Sequence, residues 1–175
     1  MGPVLVNGLP AHVLLVHFVV VLVPLTALAL LACAVWPSVA RRFGIALPVL
    51  ALVTLISVPI TTHAGEWLER HVASDALVRR HTGLGDELLP WVIALFVMSV
   101  VVWWVYRRTA RAASGEAEYR AVTVALPLRL AVLVLSLAAA VGACVQVYRI
   151  GDSGARAAWH DAYSAAARTD GVRFR

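Results

Sequence analysis

The sequence predicts an all-α integral membrane protein, a four-helix antiparallel bundle with both termini extracytoplasmic and a short C-terminal outer helix. Three observations carry that expectation. The 175-residue chain is 61% hydrophobic and only 14% charged, which leaves too little polar surface to cover a soluble globule of this size. It holds four apolar stretches long enough to cross a hydrocarbon core of about 30 Å at about 1.5 Å per residue. Its fifteen basic residues are all arginines, and most sit in short runs at the ends of those stretches, as membrane topology signals do.

Taken in order, residues 1–10 carry Gly2, Pro3, Gly8 and Pro10 and read as an uncharged arm. Span 1 covers about residues 11–36 and ends at Trp36-Pro37, where the indole can sit at the interface and the proline stops the helix. A short break after Arg41-Arg42 makes span 2, residues 44–62, its antiparallel neighbour. Pro24 and Pro59 each remove an interior backbone hydrogen bond, so both helices are expected to bend, the second aiming Thr61, Thr62 and His63 inward.

Residues 63–89 form the one sizeable polar connection. It is too long to lack structure, so span 2 is expected to run on to about Val72, turn near Ser74-Asp75, and lead into an early start of the third helix. Span 3, about residues 87–106, is edged by Trp91 and by Trp103-Trp104-Tyr106. Span 4, about residues 122–149, carries Ser136, Ala138 to Ala140, Gly142 and Ala143, small residues that permit close helix approach. The tail, residues 150–175, is expected to form a separate short helix capped by Ser153. Cys33 and Cys144 fall about 20 Å apart in depth, so they read as apolar fillers and not as a disulfide. The whole chain, 1–175, is one membrane domain.

Orientation comes from the arginines. The connections after spans 1 and 3 hold Arg41, Arg42, Arg107, Arg108, Arg111 and Arg120 against Glu116 and Glu118, whereas residues 63–89 hold Arg70, Arg79 and Arg80 against five acids. The positive-inside rule then puts the first two in the cytoplasm and the long connection outside. All six histidines gather on or near the outer side.

Counting about twenty residues outward from each cytoplasmic edge sets His17 level with His63, and His12 level with His81 a little further out. His12 and His17 are five residues apart, about 140° around a helix, so they cannot readily share one ion. Each can pair with a histidine from another helix, the arrangement that holds a haem iron through two imidazoles. Two haem b sites are open on this reading: His17 with His63, or His12 with His81. A Zn or Cu site built from His63, Glu66, His71 and His81 is a further reading. A cofactor-free structural or accessory subunit, its histidines bonded to facing carbonyls or to Glu66, is the alternative.

No nucleophile constellation, phosphate-binding glycine loop, paired thiol motif or HExxH site is present, so no enzymatic activity is expected. The spans carry no buried Asp, Glu or Lys of the kind a transport path needs. The expected partners are the lipid bilayer and a redox protein or larger membrane complex; nucleic acid is excluded because the arginines follow topology.

The segment G-L-P-A-H-V-L-L-V-H-F at residues 8–18, R-R-H at 79–81 and the four-span layout resemble bacterial membrane proteins carrying the domain of unknown function 2231. Members often have proline where this chain has Val13 and Val19, a departure that bears on helix entry more than on chemistry. The resemblance implies a multi-pass protein of the bacterial plasma membrane, places weight on His12, His17 and His81, and implies no established activity. The layout is also similar to the four-helix core of haem b membrane cytochromes. With histidines at one side alone, it implies an outer-side haem and no path across the bilayer.

Overall fold

The computed structural model describes residues 5–6, 9–70, 76–112 and 118–173. Two short strands, β1 (Leu5–Val6) and β2 (Leu9–Pro10), pair antiparallel where the sequence suggested a plain arm. Among the described residues six helices follow: α1 (Ala11–Val35), α2 (Pro37–Phe43), α3 (Ala46–Glu69), α4 (Ala76–Asp86), α5 (Leu88–Ala112) and α6 (Glu118–Arg173). Among the described residues four helical stretches are long and apolar enough to cross a membrane: Ala11–Val35, Ala46–Glu69, Ala76–Arg108 and Leu126–Trp159. α1 packs on α3 and α6, and α5 packs on the same two helices, closing a four-cornered bundle; α4 lies mainly against α6.

Local chemistry sets the boundaries. Trp36 is extended (φ −108°, ψ 106°), as a residue before proline prefers, and Pro37 opens α2 where its missing N–H costs nothing. The sequence reading had no helix here. Gly44 ends α2 with φ 51°, a backbone region that favours glycine, and donates its N–H to the Ala40 carbonyl. Pro90 cannot donate to the Asp86 carbonyl and its ring crowds it, which accounts for the break between α4 and α5 at Glu87. α3 runs past the expected span but ends at Glu69, short of Val72; the turn expected near Ser74-Asp75 lies outside the described residues.

Two expectations are corrected. The tail does not form a helix of its own, because α6 continues unbroken through Gly151 to Arg173. Ser153 is not a cap: its hydroxyl donates to the Ile150 carbonyl within the helix (2.8 Å). Nor does α3 aim His63 inward, since its side chain is 83% exposed, although Thr61 is buried as expected.

One set of buried positions recurs with the same spacing in all four long helices. On α1 they fall at Val19, Val23, Thr26, Leu30 and Cys33, and on α3 at Leu47, Ala51, Thr54, Val58 and Thr61. On α5 they fall at Leu88, Val92, Leu95, Ser99 and Val102, and on α6 at Val132, Ser136, Ala139, Ala143 and Gln146. Steps of four and three alternate, the 3.5-residue period of knobs-into-holes packing in a left-handed bundle. Continuing that period past Gln146 reaches Ile150 and the buried Ser153, so the seam itself carries α6 through the expected break.

Between these positions Val20, Val21, Leu25 and Leu28 on α1, and their counterparts on the other helices, are exposed and face the lipid. Lipid tails are as apolar as the helices, so association rests on close packing and interhelical hydrogen bonds. Thr26 Oγ1 and Thr54 Oγ1 supply one such bond (2.7 Å) between α1 and α3. Each hydroxyl also lies against its own i−4 carbonyl, Leu22 and Leu50. The two protons therefore serve three contacts. Cys33 and Cys144 are both free. At the α2 end of the bundle, Tyr106 donates to the Ala34 carbonyl, and Arg107 and Arg108 stack over Trp103 and Trp104.

Candidate functional site

The seam ends in histidine. Counting back along α1 from Val19 in steps of three and four gives Val16 and then His12; counting on along α3 from Thr61 gives Gly65. Nδ1–H of His12 donates to the Thr61 carbonyl of α3 (3.1 Å), and its ring lies over Gly65, where a Cβ would come within 2.9 Å of Cε1. His81 repeats the arrangement on α4 and α6: its Nδ1 bonds Ser153 Oγ (3.0 Å), and its Cε1 would lie 3.0 Å from a Cβ on Gly154. The two rings meet, with centroids 6.5 Å apart and planes at 81°.

The hydrogen bonds fix the tautomers. A carbonyl only accepts, so Nδ1 of His12 carries the proton. Ser153 spends its one proton on Ile150, so its oxygen accepts from Nδ1–H of His81. In a neutral ring so bonded, Nε2 is the nitrogen without the proton, and neither of these two bonds uses it. A ring nitrogen donating to oxygen while the other nitrogen stands free is the usual preparation of a ligating histidine.

The remaining candidates lie elsewhere. His17 is exposed and turns its Nδ1 onto the Val13 carbonyl of its own helix (2.6 Å). Exposed His63 pairs with Glu66 one turn on (3.8 Å). His71 lies outside the described residues. Among the described residues no group of three or more His, Cys, Asp or Glu side chains is gathered to hold a metal.

Four contributors were not singled out from the sequence as parts of the site: Gly65, Gly154, Ser153 in this role, and Gln146. Gln146, 3% exposed, donates from Nε2 to the Leu84 carbonyl (2.8 Å) in the last turn of α4 and toward Glu87 Oε2 (3.2 Å). Its Oε1 accepts from Arg149, whose guanidinium is 3.7 Å from Glu87. Carbonyls at a helix end lack an intrahelical donor, so Gln146 closes α4 and locks it to α6. Gln146→Leu is expected to destabilise the fold by about 1–3 kcal/mol, the usual range for a buried group left unpaired, measured by unfolding in mixed micelles.

The geometry defines a class: a multi-pass helical membrane protein whose core ends in a facing imidazole pair. The chain belongs to the family described as predicted membrane protein, domain of unknown function 2231, whose model matches residues 8–167. No curated protein matches the chain, and no solved structure does.

Proposed function

We propose that this protein holds one redox-active metal centre between His12 and His81, haem b, and passes electrons at one face of the membrane. The observation that carries the reading is the meeting of two imidazoles, each held by a bond from Nδ1 to the neighbouring helix. The ring centroids lie 6.5 Å apart, close enough for both imidazoles to serve one metal centre. Zinc needs three or four protein ligands, and among the described residues no third ligand joins the pair. A haem iron takes four ligands from its porphyrin, so two imidazoles complete it. His12 and His81 would hold the iron, which would supply one-electron chemistry.

The excess of arginine in the connections after spans 1 and 3 supports an orientation with the imidazole pair outside the cytoplasm of a bacterial cell. The test is a reduced-minus-oxidised spectrum of protein purified without a His-tag, with haem supplied, alongside elemental analysis. His12→Ala and His81→Ala are each expected to abolish the Soret band, while His17→Leu and His63→Leu retain it. Wild-type protein with neither chromophore nor metal refutes the reading, leaving the imidazoles to tie α1 to α3 and α4 to α6 in a cofactor-free subunit.

A further inference from the structure

A cleft of about 80 Å³ lies between α4 and α6, beside the imidazole pair and sharing Ser153 with it. Its polar wall carries three guanidiniums, Arg80, Arg149 and Arg156, with Asp152 among them, while Leu77 and Leu84 form the apolar part. Each of two arginines is engaged through one nitrogen: Arg156 by Nε to Asp152 (2.9 Å), and Arg149 by Nη1 to Gln146 and toward Glu87. Those bonds orient the side chains and leave most of the five N–H donors of each guanidinium unused. Among the described residues Arg80 has no carboxylate partner, so three cations face two acids, Asp152 and Glu87, and one positive charge is left over.

We infer that this cleft binds an anionic phosphate group, presented by a phospholipid headgroup. Converging guanidiniums match the geometry of phosphate oxygens, which forked N–H pairs engage two at a time. The source follows from position. The cleft opens beside Tyr148, which is 75% exposed at the end of the apolar stretch of α6, the level at which tyrosines meet headgroups. Leu77 and Leu84 offer apolar cover that a free inorganic ion has no use for. The cleft is formed by the protein alone and does not depend on a metal at the imidazoles.

The test uses the full chain, delipidated in zwitterionic detergent and titrated with phosphatidylglycerol, phosphatidylcholine or inorganic phosphate while thermal unfolding is followed. Phosphatidylglycerol is expected to bind about tenfold or more tightly than phosphatidylcholine, whose choline cancels the charge, and Arg80→Gln to lose about that factor. Arg80→Lys, which keeps the charge without the fork, should fall between. Arg107→Gln, at the opposite end of the bundle, should change nothing. Inorganic phosphate binding as tightly as phosphatidylglycerol, with the same loss in Arg80→Gln, supports the phosphate site and reassigns its source to a free anion. Equal affinity for the two lipids, or an unchanged Arg80→Gln, overturns the proposal.

Discussion

Gly142→Ala is expected to destabilise the protein by about 1–3 kcal/mol, the usual cost of forcing an extra carbon into a close-packed contact. A Cβ at Gly142 would overlap the six-membered ring of Trp91, which lies flush against the α6 backbone. An indole cannot yield as the tip of a flexible chain does, so the ring or the whole α5–α6 pair must move. The same alanine introduced beside Trp91→Ala should be nearly neutral, because the obstructing ring is gone. That double-mutant cycle, read from unfolding in mixed micelles, isolates the pair. A cost that persists without the indole would assign the effect to the α6 backbone itself.

The second large effect is expected at the imidazoles. Gly65→Ala places a carbon 2.9 Å from His12 Cε1, and Gly154→Ala one 3.0 Å from His81 Cε1. Each ring must shift off its glycine, stretching the bond to Thr61 or Ser153. If the pair holds a metal centre, as proposed, each change should weaken binding by about 10–100-fold, the range for lost supporting contacts around a ligand. Haem titration of the apoprotein checks this. Gly83→Ala, where a Cβ meets nothing within 4 Å, is the control and should bind as the wild type does.

How much of this was legible beforehand turns on periodicity. Hydropathy located the four crossings, because length and apolar content are one-dimensional properties. It does not show which face of α1 is buried, since valine and leucine ring that helix on every side. The hydroxyl and small residues do: Thr26, Thr54, Ser99 and Ser136 all fall on the 3.5-residue seam. Extending that seam reaches His12 and passes by His17 and His63, both of which are exposed. Counting depth from the arginines sorted histidines by level and carried no information about rotation around the helix axis. Gly65 and Gly154 left no separate trace, for a glycine that makes room for a ring looks like any other until its neighbour is known.

The break at Glu87 has a mechanical consequence. Pro90 interrupts the ladder between α4 and α5, while Gln146 and Ser153 fasten α4 to α6 at Leu84 and His81. His81 therefore takes its bearing from a helix distant in sequence and only loosely from the crossing that follows it. Any tilt or sliding of α6 in its lipid surroundings would carry that imidazole along and alter its aim toward His12, which is anchored on α3. The spacing between the rings thus reports the relative attitude of the two helix pairs, α1 with α3 and α4 with α6.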